Sequence, residues 1–339
     1  PAAALGSCRF KLKDPAQDPS EFEELIRIFQ KHEIGYFVYI GGNDSMDTVW
    51  KLSDYIKEHH IPGIVVVGAP KTIDNDLYGI DHCPGFGSAA KYIATSISEL
   101  ERELEVYDTP YVIVVEMMGR NAGWLTAAAA LAESANSNVP YLIYLEERPF
   151  DLNDFISDLR GELAVGKDVI VAISEGIRDR SGKMICDYAD RDQSTDAFGH
   201  TIATGAGKVL ENAIRSNIGC KVRYIELNLL QRCAGHLLSE TDITESTELG
   251  RNAVRLAVDG QNGVMSTLTR TSNHPYSVAY GAADIADIAD REKKVPDSWI
   301  TSEGNGVTEE MLEYLRPLVQ GERSCKFENG IPKYVVFDK

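Results

Sequence analysis

The feature that most constrains the fold is the run Gly63-Ile64-Val65-Val66-Val67-Gly68, which empties into Pro70-Lys71-Thr72-Ile73-Asp74-Asn75-Asp76. An apolar, β-branched run without alternation reads as a strand buried on both faces, the mark of a parallel sheet covered by helices. In open α/β sheets, ligands bind beyond the carboxyl ends of the strands. The loop here carries one lysine and two carboxylates. Lys71 can neutralise a phosphoryl group, while one carboxylate takes a hydroxyl proton and the other meets a divalent cation. The same residues also suit an ordinary exposed turn, because Asp and Asn are turn formers.

The rest of the chain alternates helix and strand signals. Ser20 and Glu23 form a capping box ahead of Phe22, Leu25, Ile26 and Phe29, predicting a helix to about His32. Tyr36–Ile40 reads as a strand that ends in Gly41-Gly42-Asn43-Asp44-Ser45, before a helical stretch from Asp47 to His59. Glycines at such a turn let a phosphate approach the backbone and a helix N-terminus, or simply make a tight turn. Asp44 would repel a phosphate unless a metal or a lysine lies between them. Ser88 is a good N-cap for a helix through Leu100. The strand Tyr111–Glu116 runs into Met118-Gly119-Arg120. That arginine can aim its guanidinium at a phosphoryl group or make a surface ion pair.

Further strands are expected at 140–145, 169–174, 222–227 and 263–268, with helices at 154–164, 202–214, 248–258 and 309–318. Glu175-Gly176 closes one of these strands, and its carboxylate suits either a sugar hydroxyl or a turn cap. Arg223 and Arg232 cannot share one short strand face, but both can reach a phosphate from neighbouring elements or subunits. The alternation calls for an α/β protein with two doubly wound, mostly parallel lobes and the catalytic loops between them.

Charge and composition narrow the classes. A net charge of −18 argues against a general nucleic-acid binder or an anionic membrane surface, yet leaves room for a local basic pocket. The six cysteines form no CxxC pair and no metal-ligand spacing, as expected of reduced thiols in a cytoplasmic enzyme. No apolar run approaches the length of a transmembrane span, and no signal-peptide pattern opens the sequence.

Five motifs taken in order, Gly41-Gly42-Asn43-Asp44-Ser45, Pro70 to Asp76, Met118-Gly119-Arg120, Glu175-Gly176 and Gln231-Arg232, resemble the 6-phosphofructokinases of the bacterial-type family. Each motif is weak alone, but their shared order, with a strand before most of them, is specific. The resemblance runs from about Leu5 to the region of Ile300. It implies the phosphofructokinase fold with two Rossmann-like lobes. Residues 1–108 with about 230–290 would take the donor, and 109–229 with about 291–339 the sugar phosphate. The family normally opens on a strand and a Gly-rich phosphate loop upstream of Leu5. This sequence does not contain them, so part of the donor site is expected outside it.

By position, the resemblance implies that Asp74 is the base that deprotonates the 1-hydroxyl of fructose 6-phosphate. Thr72, Ile73 and Asp76 match its neighbours, Asp76 lying near the metal. Met118, Gly119 and Arg120 match the substrate and transition-state loop, and Glu175 the carboxylate that holds sugar hydroxyls. Arg223 and Arg232, the latter beside Gln231, match arginines that hold the 6-phosphate, one normally reaching across a subunit interface in a dimer or tetramer. Arg9 matches an arginine near the transferred phosphates, and Gly41 and Gly42 belong to the donor side.

ATP users of the family have Gly where Asp44 stands, which leaves room for the α-phosphate. Members that use inorganic pyrophosphate carry Asp there and Lys at the position of Lys71. The chain has both, so it is similar to the pyrophosphate-dependent branch. The expectation is a reversible, Mg²⁺-dependent phosphoryl transfer from pyrophosphate to fructose 6-phosphate, serving glycolysis or gluconeogenesis. An ATP-dependent enzyme and a non-catalytic sugar-phosphate-binding homologue are the alternatives. Three departures stand out. Asn43 replaces an Asp that helps bind Mg²⁺ in many members, so the metal would rely on Asp76, water and Asp44. Tyr111 stands where tetrameric ATP members place an interface arginine, and Leu229, at a substrate-binding position, where they place a histidine.

Overall fold

The structure, a computed structural model, describes residues 6, 10–133, 139–166, 168–189, 205–289 and 291–334. In chain order the elements are α1 (Ser20–Lys31), β1 (Tyr36–Gly41), α2 (Asn43–Glu58), β2 (Val65–Pro70), α3 (Phe86–Leu104), β3 (Tyr111–Met117), α4 (Trp124–Ala127) and β4 (Tyr141–Tyr144). Then come α5 (Leu152–Val165), β5 (Asp168–Ser174), α6 (Ala206–Asn217), β6 (Lys221–Glu226), α7 (Leu230–Cys233), α8 (Glu240–Val258), β7 (Val264–Asn273), β8 (Tyr276–Asp284) and α9 (Glu309–Leu315). A short hairpin of β9 (Phe327–Glu328) and β10 (Ile331–Pro332) follows.

The chain divides into two compact units. The first takes residues 7–85 and 241–293, and the second 86–240 and 294–339. The first contains the sheet β1-β2-β7-β8. In it β1, β2 and β7 are parallel, and β8 returns antiparallel to β7. Its core gathers Phe22 and Phe29 of α1, Met46 and Leu52 of α2, Val66 of β2 and Met265 of β7. The second unit contains β4-β5-β3-β6, with all three pairings parallel. Every residue of β3, β4 and β5 is buried, as continuous apolar runs demand of a sheet covered on both faces. The alternation of strand and helix is therefore realised as expected.

Several boundaries differ from the sequence reading. The first unit was expected to reach residue 108, but α3 lies in the second. Its apolar face packs on β3, α4 and the 3-10 turn Ala128–Ala132. The second crossing falls at Glu240/Thr241 rather than near 230. The capping box at Ser20 does not form: Pro19 is the N-cap residue, and Asp18 accepts from both Ser20 N–H and Ser20 Oγ. Helix α2 begins at Asn43, four residues before the expected Asp47, so Asp44 lies inside its first turn. The strand expected at 263–268 runs on to Asn273 and folds back as β8, which the sequence did not announce. Helix α8 starts at Glu240 rather than near 248. Residues 202–204 of the helix expected at 202–214 lie outside the described residues, and the described helix starts at Ala206.

One buried side chain ties the second sheet to its helical layer. Glu116, one residue before the end of β3, accepts from the N–H groups of Gly205 and Gly207 at 2.8 Å each, at the N-terminus of α6. The hydroxyl of Tyr224 on β6 donates to it at 2.8 Å. Burial raises the pKa of Glu116, and the hydrogen bonds oppose that rise. A carboxylate at a helix N-terminus is favoured by the exposed N–H groups and the helix dipole. Glu116→Ala leaves two N–H groups without their acceptor, while the Tyr224 phenol keeps Glu226 Oε2 at 3.2 Å. It should destabilise the second unit by about 3 kcal/mol, at roughly 1–3 kcal/mol per orphaned group. Urea unfolding followed by far-UV circular dichroism measures this, and an unmoved midpoint would contradict it.

Candidate active site

The parallel register of β1 and β2 sets Gly41 opposite Pro70 at the carboxyl ends of the strands. Just beyond, Lys71 N–H donates to Gly41 O at 2.9 Å, so the turn at Gly42 and the loop from Lys71 run side by side. A side chain at Gly41 does not fit, because its Cβ would lie 1.9 Å from Ser45 Oγ. Gly42 is the N-cap of α2, so Asn43 and Asp44 sit where free N–H groups and the helix dipole favour anions. Asp44 is exposed and has Lys11 Nζ at 3.7 Å; Lys71 is exposed as well.

The loop after Lys71 is held from within. Buried Thr72 donates from Oγ1 to Asp74 Oδ2 at 3.0 Å and accepts from Asp74 N–H at 3.1 Å. This fixes the orientation of the Asp74 carboxylate. Ile73 is half-buried beside Gly85. Asn75 is fully buried in a left-handed conformation, φ 57°, which Asn adopts more readily than most residues. Its Oδ1 accepts from Cys83 N–H at 2.9 Å. Asp76 accepts at Oδ2 from Asn43 Nδ2 at 2.8 Å, which joins the two loops through their side chains. Burial, and next the charge of Asp74, push the Asp76 carboxyl up to about 7.

The second unit presents its own row of strand ends. The β3–β5 register pairs Met117 with Ser174, and Glu175 N–H donates to Met117 O at 3.0 Å. Gly119 N–H donates to Glu175 Oε1 at 3.3 Å, and Ser174 Oγ donates to Gly119 O. Met118-Gly119-Arg120 is thus laced to Glu175-Gly176. The lacing leaves no room at Gly176, where a Cβ would lie 2.1 Å from Arg120 O. Arg120 is half-buried, and its Nε is buried without a hydrogen-bond partner among the described residues. An orphaned guanidinium N–H at a strand end fits an anionic ligand.

The remaining predicted residues fall elsewhere in the second unit. Arg223 is exposed on β6, paired with Ile113, four residues before Met117 and thus about 13 Å back along the strand. Arg232 and Leu229 are exposed on α7 and at its N-cap. Gln231 is buried and donates to Asn228 O at 2.9 Å. Tyr111 is buried at the amino end of β3, beneath the Lys221 ammonium. Arg9 lies outside the described residues.

Two features escaped the sequence reading. Glu147 accepts from Gly123 N–H at 3.0 Å and from Val295 N–H at 3.0 Å, and so fixes the far end of the Arg120 loop. Lys293, at the end of the first unit, reaches under the Asp74 loop and donates to Asn75 Oδ1 and to two main-chain oxygens. No local pattern marks either residue.

No group of three or more His, Cys, Asp or Glu side chains gathers around a metal position among the described residues. Asp74 and Asp76 nonetheless sit on one loop with Asp76 strained by burial and by its neighbour, which suits a divalent cation that draws its other ligands from water and substrate oxygens. Within the first unit, the Asp74 carboxylate oriented by Thr72, the buried Asp76 carboxyl and the exposed Lys71 on one loop are groups suited to moving a negatively charged group onto a hydroxyl.

A family model described as phosphofructokinase matches residues 1–257. A pyrophosphate–fructose 6-phosphate 1-phosphotransferase of Halomonas elongata is 41% identical over 337 residues, spanning 98% of this chain and 79% of that protein. The protein of that name from Xanthomonas campestris is 41% identical over 339 residues, spanning 99% of this chain and 80% of its own length. Among solved structures, a pyrophosphate-dependent phosphofructokinase from Nitrosospira multiformis matches with a TM-score of 0.87 at 36% identity, over 98% of this chain and 78% of that one.

The raised Asp76 carboxyl has a definite sign for stability. Folded, the group holds its proton up to about pH 7, whereas its ordinary value is 3.8, so between those limits the folded state binds more protons than the unfolded. Its contribution therefore falls as the pH rises through that window. Asp76→Asn should stabilise the protein without divalent cation at pH 8 by about 2 kcal/mol, using roughly 1.4 kcal/mol per pKa unit and a discount for partial exposure. The gain should shrink toward pH 5. Thermal melts at the two pH values measure it, and a pH-independent difference would remove the repulsion from the account.

Proposed function

The chain belongs to the phosphofructokinase family, and from that membership we propose that it transfers a phosphoryl group from inorganic pyrophosphate to the 1-hydroxyl of fructose 6-phosphate. The products are fructose 1,6-bisphosphate and phosphate. A phosphoanhydride between two phosphates and a phosphate ester differ little in energy, so the reaction runs in both directions and serves glycolysis or gluconeogenesis in the cytoplasm.

The observation that carries the choice of donor is the placement of Asp44 in the first turn of α2, next to the Lys71 loop. A helix N-terminus attracts phosphate, but a carboxylate on that turn opposes a third phosphate and the nucleoside beyond it. Lys71 supplies the positive charge for the bare diphosphate. Gly41 and Gly42 bring the backbone close to it.

Asp74 takes the proton of the attacking hydroxyl, with Thr72 Oγ1 setting the direction of the carboxylate. Lys71 and Arg120 spread the charge of the transferring group, which is where phosphoryl transfer needs stabilisation most. Asp76, with Asn43 against it, would hold Mg²⁺, which when bound neutralises the oxygens of the transferring phosphate. Ile73, Met118, Gly119 and Glu175 hold the sugar. Arg232, with Gln231 buried behind it, holds the 6-phosphate, and Leu229 borders that position. Arg223, set back on β6, serves the site of a neighbouring subunit in a homo-oligomer.

A coupled assay offering pyrophosphate or ATP to the native protein tests this reading. Turnover is expected with pyrophosphate and Mg²⁺, and ATP turnover without pyrophosphate turnover would reverse the donor. Asp74→Ala should lower kcat by about 10²–10⁴-fold, the range of a positioned general base, with the thermal midpoint nearly unchanged. A variant that keeps its kcat would take Asp74 out of the reaction.

A further inference from the structure

We infer that Lys293 is the positioning residue that holds Asp74 and Asp76 in working geometry, acting from beneath the loop without touching substrate. The inference deepens the function proposed above and rests on it. Lys293 lies 217 positions beyond Asp76 and ends the first unit. Its Nζ donates to Asp81 O at 2.7 Å, to Ile80 O at 3.2 Å and to Asn75 Oδ1 at 3.2 Å. Its main-chain N–H donates to Asp76 O at 2.7 Å, and Glu292 before it bridges to Leu77. One residue thus grips the loop through backbone and side chain at four points.

What it grips is the loop's unusual element. Asn75, between the two aspartates, is fully buried and left-handed, and such a conformation persists only where the surroundings fix it. Its Oδ1 receives Cys83 N–H as well as the ammonium of Lys293. Remove the ammonium, and Asn75 keeps one of these two donors while Ile80 O and Asp81 O lose theirs.

The charge has a second effect. Burial lowers the pKa of Lys293, while the charges of Asp81 and Asp76 favour its protonated form. A cation fixed behind the loop lets two carboxylates face one ligand with less mutual repulsion. Asp76 would then hold a divalent cation from a loop already in place.

The signature of such a residue is a loss in kcat that far outweighs any change in KM, since proton transfer depends on Asp74 while Met118, Gly119, Glu175 and Arg232 lie outside the loosened loop. Lys293→Met keeps the apolar stem and removes the charge and its donors. It is expected to lower kcat at least thirty-fold while KM for fructose 6-phosphate and for pyrophosphate stays within about threefold. Lys293→Gln, which keeps a donor without the charge, should recover part of the loss and serves as the test if the Met variant does not fold. Hydrogen exchange on the ligand-free proteins gives a readout independent of turnover. Amides in residues 72–85, Cys83 among them, should exchange at least tenfold faster in the variant, with β3 unchanged. A folded variant with native exchange in that segment, or with kcat within threefold of native, overturns the assignment. Absence of turnover from the native protein on either donor would instead sink the proposed function and leave the exchange measurement to decide the role of Lys293.

Discussion

Carboxylates collect where the strands of both sheets end, and the fold tolerates them because neutral donors hold most of them. Asp74 takes the Thr72 hydroxyl, and Asp76 the Asn43 amide. Glu116 takes two N–H groups and a phenol, Glu147 the N–H groups of Gly123 and Val295, and Glu175 that of Gly119. A carboxylate satisfied in this way needs no side-chain cation as its partner. Cations are then left for an incoming anion, consistent with Arg120 Nε, which has no hydrogen-bond partner among the described residues. A chain of net charge −18 can handle phosphorylated substrates because its few site cations are not spent on its many acids.

Whatever depended on local pattern was legible in the sequence. The β-branched runs before Pro70, Met118 and Glu175 gave three central strands, and the loops after them gave the site motifs. Where the reading slipped, two local signals competed. Gly41-Gly42-Asn43-Asp44 reads as a turn, yet Asn43 and Asp44 are already helical, because Gly42 serves as N-cap and the apolar spacing of α2 starts with Met46. Strand β8 was invisible because its residues alternate Ser, Ala and Gly with larger groups, and its stability comes from pairing with β7 rather than from propensity. The grip of Lys293 on the Asp74 loop could not be read at all. It joins residues more than two hundred positions apart and consists largely of bonds to main-chain oxygens, which leave no trace in residue type.

The site also carries features that stability alone would remove. Asp76 is pushed toward neutrality by burial and by Asp74, Asn75 is left-handed, and Lys293 is held where burial disfavours its charge. Positive φ also occurs at Glu33, His60, Asn228 and Asn329, and burial pushes Glu146 up to about 7 as well, so what sets this loop apart is that the three features occur together. They lie on one short loop and the residue beneath it. Violations concentrated in this way are expected where a reaction needs charges that folding does not. The same holds for Arg120, whose orphaned Nε sits on a loop that Gly176 keeps in place by having no side chain.

The donor choice proposed for Asp44 and Lys71 rests on the register of β1 and β2. Because Gly41 pairs with Pro70, the first turn of α2 and the Lys71 loop are neighbours by construction, and a carboxylate and an ammonium stand on adjoining segments. A register shift by one residue would exchange the faces of β1 and carry Asn43 away from Asp76. Gly68 of β2 opposes that shift, because a Cβ in its place would lie 2.6 Å from Met46 Sδ of α2. The hydrophobic core of the first unit therefore fixes where positive and negative charge meet the donor. Asp44 can be read as a selector only because the strand behind it cannot move.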